Sequence, residues 1–115
     1  MSNECNCIDR FNFLEVRSER GDDRHVIELT AELDLDGIER VTRELERAEA
    51  SDAQRIVIDL SGLEFIDSSG VRLIVCADLR SRQDGDRLRL IPGKARVQRV
   101  FELTGVSERL PFEKT

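Results

Sequence analysis

A chain of 115 residues can bury one hydrophobic core but is too short for two, so we expect a single domain. Hydrophobic residues make up 39% and charged residues 37% of the sequence, a balance typical of globular proteins and not of disordered ones. The formal net charge of −6 argues against a nucleic-acid partner, because phosphate binding needs a dense basic surface, and it favours protein partners.

The amino-terminal residues 1–10 are polar and acidic, and we expect them to form a flexible segment before a domain of residues 11–115. They contain no apolar core of a signal peptide, and no apolar run in the chain approaches the roughly 20 residues that cross a bilayer. We therefore expect a cytoplasmic protein without membrane insertion. Cys5 and Cys7 offer two thiols, whereas a structural zinc site needs four ligands, so neither a metal nor another cofactor is expected.

The first predicted unit is a β-hairpin. Two apolar-rich segments, residues 11–16 and 25–33, flank the polar residues 18–24, which include Gly21-Asp22-Asp23. A helix is predicted next, over residues 36–50, because apolar side chains recur there at helical spacing. These side chains are Ile38, Val41, Leu45 and Ala48.

A central strand is predicted over residues 56–60, a β-branched run without alternation that is typical of a strand covered on both faces. Asp59, Ser61 and Gly62 then predict a turn. A second short apolar stretch, residues 63–66, follows the turn and leads directly into the next helix.

This second helix is predicted to begin at the serines of the run Asp67-Ser68-Ser69-Gly70 and to end near Gln83. Apolar side chains recur along it at helical intervals, at Val71, Ile74, Val75 and Leu79. Cys76 lies inside the same apolar run and is expected to be a small core residue.

The last third of the chain predicts a strand over residues 88–91, stopped by Pro92-Gly93, and a third helix over residues 97–104 that Gly105 closes. Residues 109–112 are predicted to form a short edge strand. The order is therefore β-β-α-β-α-β-α-β. Because strands separated by a helix pair in parallel, we predict an α/β domain with a mixed, mostly parallel sheet and flanking helices.

Interest centres on residues 67–70, which join the end of a strand to the start of a helix, the edge where ligands and partners dock in open α/β folds. The first amides of a helix lack intrahelical acceptors, and the helix dipole adds about half a positive charge, so Ser68 could accept a phosphate without strain. The simpler interpretation is that Asp67 and Ser68 are ordinary helix caps. Both interpretations can hold, because a cap residue is exposed.

Catalysis by Ser68 is not expected. Its neighbours do not form the G-x-S-x-G elbow of serine hydrolases, and nothing in the sequence brings the only histidine, His25, to it as a general base. Gly93-Lys94 resembles part of a phosphate loop, but the earlier glycine and the following hydroxyl are missing. We therefore expect a binding protein and not an enzyme.

Four motifs in this order resemble the STAS domain family, especially its anti-sigma factor antagonists. They are Ala31-Glu32-Leu33-Asp34, similar to the family's Gly-Glu-Leu-Asp, the run Ile56-Val57-Ile58-Asp59-Leu60-Ser61, the signature Asp67-Ser68-Ser69-Gly70, and Val97-x-x-Val100-Phe101-Glu102-Leu103-Thr104-Gly105. The resemblance covers residues 11–112. The signature alone is short, and its placement among the other motifs makes the resemblance specific.

The resemblance implies that Ser68 is a phosphoacceptor and that its surroundings meet a partner kinase. The partner-binding residues are then Glu32, Asp34, Asp67, Ser69, Gly70 and Arg72. The implied partners are an anti-sigma factor serine kinase, which releases its sigma factor when it binds this protein, and a PP2C-type phosphatase that restores the hydroxyl. A monomer is expected.

Besides Ala31, the sequence differs from the family pattern after the signature and at the end of the domain. Leu-Gly usually follows the signature glycine, whereas Val71-Arg72 follows here and places a cation one turn into the helix, where it could pair with a phosphate or alter the choice of partner. Family members usually add a final helix that this sequence lacks, so its contacts are expected to be lost. An alternative interpretation is an unphosphorylated STAS scaffold subunit of a transporter or signalling complex.

Overall fold

A computed structural model describes residues 14–113 of the chain. The strands are β1 (Leu14–Arg20), β2 (Arg24–Leu33), β3 (Arg55–Ile66) and β4 (Leu88–Ile91), and the helices are α1 (Ile38–Ala50), α2 (Ser68–Arg82) and α3 (Ala95–Leu103). Short 3₁₀ turns lie at Leu35–Gly37 and Ser107–Arg109. The predicted α/β class is confirmed. The predicted flexible segment, residues 1–10, with its two cysteines, and the start of the first predicted strand, residues 11–13, lie outside the described residues.

The sheet has the strand order β1-β2-β3-β4. β1 and β2 pair antiparallel around a tight turn, in which the N–H of Gly21 donates to the carbonyl of Arg24 at 2.8 Å. β2 pairs with β3, and β3 with β4, in parallel, because a helix separates the members of each pair along the chain. The predicted mixed sheet is therefore confirmed.

The turn predicted at Asp59, Ser61 and Gly62 is wrong, because β3 runs through these residues without reversing direction. The pairing with β2 passes from Glu28↔Asp59 to Thr30↔Gly62, so β3 places an extra residue opposite β2. The carboxylate of Asp59 accepts hydrogen bonds from the N–H of Ser61 at 2.9 Å and from its hydroxyl at 2.7 Å. The turn-forming side chains stabilise a β-bulge here instead of a loop.

The edge strand predicted over residues 109–112 is reduced to a single parallel bridge between Leu90 and Phe112. The N–H of Leu90 donates to the carbonyl of Pro111 at 2.9 Å, and the N–H of Glu113 donates to the carbonyl of Leu90 at 2.7 Å. Pro111 has no N–H with which to extend the ladder, which explains why the pairing stops after one bridge.

One core lies between the sheet and the helices. The strand residues that reach it alternate along β2, β3 and β4, and they include Ile27, Leu29, Ile56, Ile58, Leu88 and Leu90. From α1 it receives Val41, Leu45 and Ala48, which confirms most of the predicted stripe. No helix among residues 14–113 is both long enough and apolar enough to cross a bilayer.

The buried face of α2 differs from the predicted one. Cys76 is exposed and Leu79 is 50% exposed, so the expectation that Cys76 is a core residue is wrong. The residues that α2 buries are Gly70, Val71, Leu73, Ile74, Ala77 and Asp78. Cys76 lies two residues beyond Ile74, a rotation of about 200° around the helix axis, and this turns its thiol away from the sheet.

Candidate functional site

The loops that follow β2 and β3 lie side by side, because parallel strands end at the same edge of a sheet. The N–H of Asp67 donates to the carbonyl of Leu33, the last residue of β2, at 3.2 Å. Each loop carries an aspartate that caps the next helical turn. Asp34 accepts from the N–H of Asp36 at 3.1 Å, and Asp67 accepts from the N–H of Gly70 at 3.1 Å.

Ser68 is the first residue of α2, and its side chain is exposed. The cap position belongs to Asp67, so the Ser68 hydroxyl is not needed to satisfy the helix end. Within the described residues this hydroxyl has no hydrogen-bond partner. Ser69 is half-buried and Gly70 is buried. Of the three, Ser68 is the residue that another protein can reach.

Gly70 holds the start of α2 close to the sheet. A Cβ atom at this position would lie 2.6 Å from Cγ1 of Ile66 and 3.0 Å from Cγ of Leu33. Real side chains do not approach this closely, so the contact requires glycine. Gly70 would therefore affect partner binding through the position of α2 and not through direct contact with the partner.

A groove of about 610 Å³ runs between α1 and α2, and Ser68 lies in its wall. The residues that line this α1–α2 groove are Leu35, Ile38, Thr42, Ser68, Ser69, Arg72, Leu73, Cys76 and Arg80. Leu35 is 71% exposed although it is apolar. An open groove that combines an exposed apolar side chain with several polar groups is typical of a site that another molecule covers.

The charge of the α1–α2 groove is opposite to that of the chain. Its lining includes Arg72 and Arg80 but no carboxylate, whereas the whole protein has a net charge of −6. Arg80 is held by Glu49 of α1, with its Nε at 3.1 Å from a carboxylate oxygen. Arg72 is exposed and has no ion-pair partner among the described residues. Its guanidinium is therefore available for an incoming anion.

A second charged cluster lies at the same edge of the sheet, where β3 meets the start of α3. Glu64 forms ion pairs with Lys94 and, at 4.0 Å, with Arg96. The hydrogen bond from Lys94 and the positive charge beside it lower the pKa of Glu64. The three groups carry a net charge of +1, and none of them lines the α1–α2 groove.

The structure places the predicted site residues at this one edge. Asp67, Ser68, Ser69, Gly70 and Arg72 belong to the cap and first turns of α2, and Ser68, Ser69 and Arg72 line the groove. Glu32 and Asp34 lie at the end of β2, but neither lines the groove.

Sequence reasoning missed the other residues of the groove, which are Leu35, Ile38, Thr42, Leu73, Cys76 and Arg80. The exposure of Leu35 could have been predicted, since this residue lies outside the buried stripe of α1 and between two aspartates. The remaining residues had no such signal, because their exposure depends on how the two helices pack.

His25 and Ser68 lie at opposite ends of the sheet. His25 is the second residue of β2, whereas Ser68 follows the end of β3, so the length of β2 separates them by about 25 Å at roughly 3.3 Å per residue. The Nε2 of His25 lies 2.7 Å from the hydroxyl oxygen of Ser18. No group of three or more potential metal ligands occurs within residues 14–113, and Cys5 and Cys7 lie outside them.

Comparison with known proteins connects this arrangement to one family. The sequence matches the STAS domain over residues 15–115. The structure is similar to an anti-sigma factor antagonist from Mycobacterium paratuberculosis, with a TM-score of 0.77 and 20% identity over 90% of this chain and 88% of that one.

Two structures of SpoIIAA show the same likeness. The unphosphorylated anti-sigma factor antagonist SpoIIAA has a TM-score of 0.70 and 23% identity over 87% of this chain and 89% of that one. The phosphorylated form of the Bacillus cell fate determinant SpoIIAA has a TM-score of 0.62 and 22% identity over 87% of this chain and 92% of that one. At these identities the likeness is one of fold.

Proposed function

This chain belongs to the STAS domain family, and from that premise we propose that it is an anti-sigma factor antagonist controlled by phosphorylation of Ser68. The unmodified protein binds an anti-sigma factor of the serine-kinase type, and the kinase then releases the sigma factor it held. Phosphorylation of Ser68 ends this binding, and a PP2C-type phosphatase restores it. The protein itself acts by binding and not by catalysis. Because the kinase uses ATP, we place this exchange in the cytoplasm.

The observation that carries the proposal is the exposed Ser68 hydroxyl at the first turn of α2. Asp67 already caps the helix, so a phosphate on Ser68 would not remove a hydrogen bond on which the helix depends. Helix amino termini favour anions by about 0.3 to 2 kcal/mol. We therefore expect the domain to remain folded after modification.

Phosphorylation of Ser68 would strongly change the charge of a protein interface that includes this residue. It adds about −1.5 to −2 charges at neutral pH. A dianion about 6 Å from one carboxylate of a partner is repelled by about 5 kcal/mol at an effective dielectric constant near 20, before screening. A change of 1.4 kcal/mol corresponds to about a tenfold change in affinity, so the expected loss is several orders of magnitude.

Phosphorylation of Ser68 moves the γ-phosphoryl group of ATP to the serine hydroxyl. The Oγ of Ser68 bonds to the γ-phosphorus of ATP while the bond to the β-phosphate oxygen breaks, and the hydroxyl proton is released. The phosphatase reverses the modification with water, which takes the phosphoryl group and returns the serine hydroxyl. No residue of this chain needs to act as the base, since the kinase supplies it.

The proposal is tested with the purified protein, ATP and the serine-kinase anti-sigma factors of the source organism, each tried separately. We expect the wild type to gain one phosphate by intact-mass measurement, Ser68→Ala to gain none, and the matched control Ser69→Ala to gain one. Calorimetry should show that the phosphorylated protein binds the kinase at least 100-fold more weakly than the unmodified protein.

Two outcomes contradict this function. Equal phosphorylation of the wild type and Ser68→Ala would place the modification elsewhere, and equal binding by the modified and unmodified protein would exclude the switch. If no serine kinase binds and a transporter or another signalling complex does, with Ser68 unmodified, the chain is instead a STAS scaffold subunit.

A further inference from the structure

We propose that Arg72 binds the phosphate on Ser68, so that phosphorylation also removes an unpaired cation from the α1–α2 groove. The inference rests on the proposed function, because it concerns the phosphorylated form of the same serine. It assigns Arg72 a regulatory role that is separate from the attachment of the phosphate.

The spacing of the two residues on α2 supports this pairing. Ser68 and Arg72 are four residues apart in one helix, so their side chains lie on the same face, and both line the α1–α2 groove. Long side chains in a helix point back toward its amino terminus. Arg72 is thereby directed toward Ser68, and its five donors in a planar fork suit a phosphate.

Of the arginines of α2, Arg72 is the one whose guanidinium is free to bind the phosphate, because the other two are held in ion pairs. Arg80 is paired with Glu49 at 3.1 Å, and Arg82 is paired with Asp78 at 3.0 Å. Arg72 has no such partner within residues 14–113 and is exposed.

The neighbouring groups of Ser68 are acidic. Asp67 precedes it, and Asp34 and Asp36 lie on the adjacent loop, which a backbone hydrogen bond from Asp67 to Leu33 holds beside it. The wall of the groove opposite α2 consists of Leu35 from the 3₁₀ turn and Ile38 and Thr42 from α1, none of which is charged. Arg72 is thus the cation of the lining that remains free to balance a phosphate.

The pairing has a consequence for the partner. Before phosphorylation the groove offers apolar side chains and a free guanidinium, which suit a partner segment that carries an apolar side chain and a carboxylate. After phosphorylation the phosphate occupies the end of the groove and the guanidinium is bound to it. The partner then loses an attractive contact as well as gaining a repulsive one.

The test uses the whole chain with phosphoserine inserted at position 68 during synthesis, which needs no kinase. Phosphorus NMR follows the second ionisation of the phosphate, whose pKa is ordinarily about 6. Surface ion pairs of about 0.5 to 1 kcal/mol correspond to about 0.4 to 0.7 pKa units. We expect this pKa to be lower by that amount in the wild type than in Arg72→Gln, and the difference to shrink in about 1 M salt.

Arg99→Gln is the matched control, because Arg99 is also exposed on a helix but does not line the groove. Its titration should equal that of the wild type, and Arg72→Lys should fall between the wild type and Arg72→Gln. Equal titrations for the wild type and Arg72→Gln would overturn the inference. A failed kinase assay would not affect this measurement, so the two proposals can fail separately.

Discussion

Gly70 and Ile66 make the contact that positions the start of α2: a Cβ atom at Gly70 would lie 2.6 Å from Cγ1 of Ile66. Ile66 is the last residue of β3, and Leu33, the last residue of β2, also approaches Gly70, with its Cγ 3.0 Å from the same Cβ position. The exposed Ser68 therefore stands on a helix end that is packed tightly against two strands. A glycine is therefore needed at position 70 of the signature, because a larger residue would prevent this close packing of α2 against the strands.

Replacing Gly70 with alanine should lower the free energy of unfolding by about 1 to 3 kcal/mol, because the added methyl group overpacks this contact. The matched control is Gly21→Ala in the hairpin turn, where the nearest atom would lie at an ordinary 3.6 Å. Urea unfolding measures both, and a Gly70→Ala protein as stable as the Gly21→Ala protein would contradict the packing argument.

Ala31 adopts a backbone conformation that suits glycine. Its φ is +81°, in the left-handed region, at a point where the pairing of β2 with β3 changes register. The left-handed conformation costs an L-residue about 1 to 2 kcal/mol, and glycine avoids this cost. Glycine also raises the conformational entropy of the unfolded chain, which lowers the stability by about 0.4 to 1 kcal/mol. We expect Ala31→Gly to stabilise the protein by about 0.5 to 1 kcal/mol.

The control for this substitution is Ala50→Gly at the exposed end of α1, which should destabilise the protein by up to about 1 kcal/mol because glycine disfavours helix. Thermal unfolding monitored by circular dichroism distinguishes the two variants. If both substitutions lower the melting temperature, the strain at Ala31 is not relieved by glycine.

Arg87 joins the end of α1 to the loop before β3. Its half-buried guanidinium donates to the carbonyls of Ala53 at 2.7 Å, Ser51 at 2.8 Å and Glu49 at 3.1 Å. Carbonyls near a helix carboxyl terminus lack intrahelical donors and favour a cation. The sequence offered no sign of this role, because the partners are separated from Arg87 by more than 30 residues.

Replacing Arg87 with lysine should cost about 2 to 3 kcal/mol, since one ammonium group cannot reach all of these carbonyls and leaves some of them unsatisfied. Arg99→Lys on the exposed face of α3 should change the stability by less than about 0.5 kcal/mol. Urea unfolding compares the two variants. A small effect at both positions would mean that water replaces the contacts of Arg87.

We expect His25 to make the free energy of unfolding depend on pH. Burial lowers its pKa from 6.5, the positive charges of Arg20 and Arg47 act in the same direction, and Glu44 opposes them. Because the folded pKa is depressed, the neutral side chain contributes stability that is complete above about pH 6.5 and is lost as the pH falls through the folded value. His25 is the only histidine in the chain, so this contribution can be isolated.

We expect the free energy of unfolding of the wild type to fall more steeply below about pH 6.5 than that of His25→Gln. Urea unfolding over a series of pH values measures both curves, and carboxylates that do not interact with His25 contribute equally to the two. Parallel curves would show that His25 titrates alike in the folded and unfolded protein.

Local patterns in the sequence predicted most of the fold. Apolar residues at helical spacing located α1, α2 and α3, and β-branched runs located the strands, because these periods follow directly from backbone geometry. The helices between successive strands required parallel pairing. The signature residues 67–70 also marked the start of α2, since aspartate and serine cap helices through contacts within a few residues.

The groove and the exposure of its residues depend on tertiary structure. The apolar residues of α2 cover more than one face, so hydrophobicity alone did not decide whether Ile74 or Cys76 faces the sheet. In the structure Gly70 and Ile74 lie on the buried face of α2 and Cys76 lies on the exposed one, an orientation that depends on the packing of the helix against β2 and β3. The bulge at Asp59 and the contacts of Arg87 likewise depend on partners distant in the chain, and local sequence patterns carry no information about such partners.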